Sequence, residues 1–195
     1  MWEKVSVLFI LFLIGCTVQP ETKTIPSTGI PLTKTNIEVI SMKLTSSVFQ
    51  PNGKIPSKYT CDGQNINPPL EISDVPAKAK SLVLLMDDPD IPEAAKKNFH
   101  VEVWDHWVVF NIPSDTKTIT EGKNPPGTLG RNTRGNNTYG GPCPPDREHR
   151  YFFKLYALDT RLGLKEGATK AEVEQAMAGH IIAQTELMGK YERVK

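Results

Sequence analysis

The chain has 195 residues, 38% hydrophobic and 23% charged, with a formal net charge of +1. That suits one folded domain with an ordinary core and excludes a disordered or polytopic membrane chain. Near-neutral charge also argues against a nucleic-acid-binding surface, which needs a basic excess.

The first residues do not read as part of the fold. Lys4 precedes the apolar run 5–14, too short to span a bilayer but suited to a signal-peptide core. Gly15-Cys16 follows at once and resembles a bacterial lipobox. On that resemblance residues 1–15 are a lipoprotein signal peptide, Cys16 is the lipidated first residue, and the protein is held at a membrane of the cell envelope. An uncleaved anchor or an ordinary secretory signal is the alternative. Residues 16–36 are rich in Thr and Pro without apolar periodicity, as in a flexible tether; about 20 such residues separate their ends by roughly 25 Å. The folded domain is expected over 37–195.

Within it the pattern is mostly β. Residues 39–44 form a strand candidate, and 46–69 are loop-rich, with Pro51-Asn52-Gly53 and Cys61-Asp62-Gly63 as turn signals. Three apolar runs follow: 81–86, 106–112 and 151–158. Runs of this length without alternation suit strands buried on both faces, so the sheet must be covered on both sides. The Gly-rich piece 127–135 lacks the Lys-Ser/Thr ending of a phosphate loop and reads as a flexible surface loop. Late in the chain the period changes. Thr169-Lys170-Ala171-Glu172 matches a capping box, and Val173, Met177, Ile181, Gln184, Met188 and Tyr191 fall near one helical face. Strands first and an amphipathic helix last predict a mainly β (α+β) fold rather than βαβ units.

Polar clusters sit at the edges of the three buried strands. Asp87-Asp88-Pro89-Asp90 follows the first, Trp104-Asp105-His106 opens the second, and His149-Arg150-Tyr151 opens the third. If the strands are neighbours, a carboxylate, two imidazoles and a phenol converge and can bind an anion by hydrogen bonds. Gly140-Gly141 lets backbone approach a ligand, and Pro142, Pro144 and Pro145 stiffen the rim. Arg150 is expected in a salt bridge rather than on a ligand. Cys61 and Cys143 lie in loops, where a disulfide and two free thiols are both open readings. His100, Asp105 and His106 do not make a closed metal set, no activated Ser or Cys nucleophile is evident, and no cofactor or catalytic activity is expected.

These motifs, in this order, resemble the phosphatidylethanolamine-binding protein family. Asp88-Pro89-Asp90, Trp104-Asp105-His106, Gly141-Pro142 and His149-Arg150-Tyr151 look like its two signature regions. Tyr59-Thr60-Cys61-Asp62-Gly63, Asn67-Pro68-Pro69-Leu70, Tyr139-Gly140-Gly141-Pro142-Cys143-Pro144-Pro145 and Leu155-Tyr156-Ala157-Leu158-Asp159 resemble its prokaryotic Raf-kinase-inhibitor-like branch. The resemblance spans about 39–193. It implies a β-sandwich with an anion pocket at one end, lined by Asp88, His106, Gly141, His149 and Tyr151, with Pro142 on the rim and Asp90 bracing the turn. It further implies ligands with a phosphate or carboxylate headgroup, modulation of a protease or kinase by some members, and a homodimer. A protonated His in that pocket would make binding weaken as pH rises. Two departures stand out: Asp105 where many eukaryotic members have a second His, and a long 91–103 stretch between pocket motifs.

Overall fold

The computed structural model describes residues 41–193. The leader, lipidation and tether readings fall on residues 1–40, outside the described part, as does the start of the 39–44 strand; the strand seen there, β1, is Lys43–Thr45. A 3₁₀ turn at Ser57–Tyr59 follows. Then come β2 (Leu70–Ser73), β3 (Ser81–Asp88), α1 (Glu93–Phe99), β4 (Trp104–Ile112), β5 (Thr118–Ile119), β6 (Thr128–Leu129), β7 (His149–Leu158), α2 (Lys170–Met177) and β8 (Ile181–Tyr191).

Two antiparallel sheets result, one ordered β1-β2-β5 and one ordered β6-β4-β3-β7-β8. The three apolar runs are adjacent strands, β4-β3-β7, and β3 is buried along its whole length. Alternation along β3 explains why both faces must be covered. Leu82, Leu84 and Met86 pack with Leu44, Leu70, Ile72 and Ile119 of the small sheet, filling the sandwich. Val83 and Leu85 point the other way, onto Val108, Phe110, Leu162 and, from α2, Val173 and Met177. Burying the last two is worth about 3–6 kcal/mol relative to leaving them in water.

The predicted capping box starts α2. The Thr169 hydroxyl accepts from the Glu172 N–H, and the Glu172 carboxylate accepts from the Thr169 N–H at 2.7 Å. The predicted continuation of the helix past Met177 is wrong. Gly179 adopts a left-handed φ of +80°, which a residue without Cβ takes at little cost, and the chain turns at His180. From Ile181 it runs as a strand along β7, whose every residue has a partner on β8. That ladder and the burial of Leu187 and Tyr191 outweigh helical propensity.

The Gly-rich 127–135 piece is also not a free surface loop. Its Thr128 and Leu129 pair with Phe110 and Val109. A Cβ at Gly130 would stand 2.5 Å from the Ala168 carbonyl oxygen, so the segment is pinned between β4 and the loop before α2.

Candidate functional site

The strand-edge clusters meet because β3 ends where β4 and β7 begin. Asp88 lies on the same face of β3 as Leu84 and Met86, and His149 on the same face of β7 as Tyr151 and Phe153. His106 reaches that face through a bulge. Met86 pairs with Trp107, but Asp87 pairs with Asp105, so His106 is the extra residue. Its ring meets Tyr151 edge-on at 5.3 Å, while Asp105 is left with Asp87 on the opposite face.

These residues form the floor of a cavity of about 240 Å³. Asp88, His106 and His149 supply the polar side. Gly140, Gly141, Cys143, Pro144 and Pro145 make one wall. The long 91–103 stretch makes the other: Ile91, Pro92, Ala95 and Phe99 line it beside Trp104. Phe99 packs edge-on against Trp104 at 4.7 Å, and Arg134 lies 5.4 Å above the Trp104 ring. Asn132 and Arg134 also line the cavity, and the sequence reading passed over both. Buried Asn132 holds their loop, donating to the Thr138 carbonyl at 3.0 Å and accepting from the Asn136 N–H at 3.1 Å.

The polar contacts are specific. Buried Asp88 accepts from the Asp90 N–H at 2.8 Å through Oδ1, and its Oδ2 lies 2.7 Å from Nδ1 of His149. Burial raises the Asp88 carboxyl above its ordinary pKa, partly offset by His149 and the Asp90 N–H. His149 Nε2 lies 2.8 Å from Oδ1 of Asp146, a loop residue. Asp90 takes a two-pronged ion pair from Arg150 at 2.7 and 2.8 Å, plus the Arg150 N–H at 2.9 Å. The Arg150 bonds lower the Asp90 pKa to about 2. Asp90 thus ties the turn after β3 to the start of β7, and Arg150 is taken up by that tie.

Nδ1 of His106 lies 2.6 Å from the Gly140 carbonyl, which fixes the proton on Nδ1 and leaves Nε2 to meet a ligand as an acceptor. Burial lowers the His106 pKa from 6.5 to about 4, with the Gly140 contact opposing. His106 is therefore uncharged at neutral pH and does not supply the protonated His of the sequence expectation. A stability consequence follows. The unfolded chain takes up this proton near pH 6.5 and the folded chain only near pH 4. The stabilisation is complete above pH 6.5 and is lost as pH falls to about 4, a total of ~3 kcal/mol. Urea unfolding between pH 7 and 4 should show wild type losing about that much more than His106→Gln; the comparison cancels the opposite contributions of Asp88 and Asp105, both raised by burial. Parallel pH curves would refute the assignment.

Three expected pocket residues sit differently. Tyr151 is fully buried beneath the histidines, 6.5 Å from the His149 ring and stacked with it, rather than on the cavity surface; among the described residues its hydroxyl makes no hydrogen bond of good geometry. Pro142 is buried behind the wall, its carbonyl accepting from the Cys61 N–H at 3.0 Å, and Pro144 holds the rim instead. Gly141 lines the cavity, but its N–H donates to Asn65 Oδ1 at 2.7 Å. The need for glycine there comes from behind: a Cβ would stand 2.5 Å from the Tyr59 carbonyl oxygen. Cys61 and Cys143 are joined in a disulfide, fastening this wall to the loop after the 3₁₀ turn.

A family model described as phosphatidylethanolamine-binding protein matches residues 45–192. A UPF0098 protein of Methanothermobacter thermautotrophicus is 49% identical over 158 residues, covering 78% of this chain and 99% of the relative. A UPF0098 protein of Chlamydia trachomatis is 47% identical over 152 residues, with the same coverage. Among solved structures, a phosphatidylethanolamine-binding protein homologue of Chlamydia trachomatis superposes with a TM-score of 0.76 at 46% identity, covering 80% of this chain and 99% of that one. YbcL of E. coli, described as a member of the mammalian family, gives 0.70 at 29% identity, covering 79% and 99%. The motif order, the two-sheet fold and these matches agree: the chain belongs to the phosphatidylethanolamine-binding protein family.

Proposed function

We propose that this protein binds a small anionic ligand, bearing a phosphate or carboxylate group, in the cavity floored by Asp88, His106 and His149. The Asp88–His149 contact carries the reading. A buried carboxylate on Nδ1 accepts from that nitrogen's N–H and orients the ring; when the ring carries its second proton, the Nε2–H on the side away from Asp88 donates to an anion. His106 accepts at Nε2, which suits a ligand oxygen that keeps its proton, as in a singly protonated phosphate. The apolar wall around Phe99 and Trp104 leaves room for an organic group beyond the head.

Binding rather than catalysis is the reading. Cys143, the sulfur beside the cluster, is bonded to Cys61 and cannot act as a nucleophile. Lipid attachment at Cys16 and residence at the envelope belong to the same proposal, resting on the lipobox resemblance. An unmodified Cys16 by mass spectrometry of protein isolated from its source would refute that part.

Calorimetry with inorganic phosphate and phosphoethanolamine tests the pocket. Removing the ring N–H deletes a charge-assisted hydrogen bond, so His149→Ala should weaken binding at least about tenfold. Equal affinities for wild type and variant would sink the assignment.

A further inference from the structure

On the floor and glycine wall, the ring donors of His106 and His149 and the N–H groups of Gly140 and Gly141 are already engaged. The His106 Nδ1–H donates to the Gly140 carbonyl, the Gly140 N–H to the His106 carbonyl at 2.9 Å, and the Gly141 N–H to Asn65. The His149 Nε2–H, on the side of the ring away from Asp88, is held by Asp146 at 2.8 Å. Both nitrogens of one imidazole thus face carboxylates, Asp88 behind and Asp146 in front.

The two carboxylates differ in kind. Asp88 is fully buried and fixed by the Asp90 N–H. Asp146 has a side chain 41% exposed, on a loop between Pro145 and Glu148. Its other partners, the Arg147 N–H at 3.0 Å and guanidinium at 2.9 Å, belong to the next residue, whose side chain is 59% exposed. Asp146 can leave His149 and keep Arg147; Asp88 cannot leave at all.

We propose that Asp146 is a built-in competitor: its carboxylate occupies the place of the ligand's anion on His149, and an anion binds only when Asp146 swings out. This deepens the anion-site reading and rests on it. The consequence is quantitative. If the open form is a minor fraction, the apparent Kd of every anion rises by the inverse of that fraction, equally for all. The device therefore sets a threshold. A monocarboxylate such as acetate only replaces one carboxylate by another and loses its free motion on binding, so it falls out of range. A phosphate brings a second charge and further oxygens, which Arg134 and the His106 Nε2 on the same cavity can meet, so it remains a ligand.

The test is a titration of the full chain with inorganic phosphate and, separately, acetate, followed by calorimetry or by the histidine ring signals in NMR. Removing the competitor frees one charge-assisted hydrogen bond, so Asp146→Ala should tighten both anions by about the same factor, on the order of tenfold. Glu148→Gln is the control. It deletes a nearby charge that pairs with Lys190 rather than His149, and should change either affinity by less than about twofold. Unchanged or weaker binding in Asp146→Ala overturns the proposal, as does an equal gain from Glu148→Gln. His149→Ala separates the two readings. If it abolishes binding while Asp146→Ala changes nothing, the anion site stands and the competitor fails; if it binds as wild type does, both fail.

Discussion

Reducing the Cys61–Cys143 bond, or replacing both cysteines by serine, should lower the unfolding free energy by about 4 kcal/mol. The residues are 82 apart in sequence, so the bond removes a large loop-closure entropy from the unfolded chain, by the chain-entropy account ~4.5 kcal/mol. For a domain of this size that is roughly a 10 °C fall in Tm. The native contacts around the bond do not depend on it. The Cys61 N–H donates to Pro142, the Tyr139 hydroxyl to the Tyr59 carbonyl at 2.9 Å, and the Gly141 N–H to Asn65. The fold should therefore survive at lower stability, with the cavity wall at 140–145 loosened and the proposed anion binding weakened. Urea unfolding of oxidised and reduced protein checks this. A loss below about 1 kcal/mol would show that the bond adds little to a wall already held by its hydrogen bonds.

How much of this was legible in the chain depends on the range of the forces involved. The three apolar runs announced their own strands, because a stretch such as Leu82–Met86 has no soluble face. Their polar ends could be read as one site, since neighbouring buried strands bring their termini together. The capping box at Thr169 was legible because capping is local. The end of α2 was misread because Val173 and Met177 continue plausibly into Ile181, Met188 and Tyr191 at helical spacing. The alternation of Leu187, Gly189 and Tyr191, all facing inward, was the competing signal, and only pairing with β7 decides for it. His106 was placed in the site by motif, not by period. Simple alternation with inward Trp107 would have turned it away; the bulge corrects this, and nothing local in Trp104–Trp107 marks a bulge. Arg134, Asn132 and Asp146 lie in loops whose course is set by long-range contacts, so no periodicity pointed to them.

Asp105 stands where the family resemblance led one to look for a second His, and the structure gives it another partner. Lys170 Nζ lies 3.1 Å from Asp105 and 2.8 Å from Asp87, and Lys154 Nζ lies 2.8 Å from the same Asp87 oxygen. Asp87 is buried; Lys170 has a side chain only 12% exposed and Lys154 one 30% exposed. One carboxylate thus holds two ammonium groups, and through them β3, β7 and the first turn of α2, on the face opposite the cavity. Asp87→Ala should destabilise the fold by about 3–5 kcal/mol, because it leaves two partly buried cations with only Asp105 and, 4.0 Å from Lys170, the more exposed Glu174 nearby. Asp87→Ala with Lys170→Met should recover part of the loss, since an apolar replacement of a buried pair costs far less than half of one. Denaturant unfolding at pH 7 of the single and double variants measures both. A single-variant loss under 1 kcal/mol, or a double variant no better than the single, would mean that water already satisfies these lysines and that the cluster is a surface ornament. The predicted outcome makes it instead the clamp that keeps α2 on the sheet, and the end of β3, where Asp88 meets His149, in place.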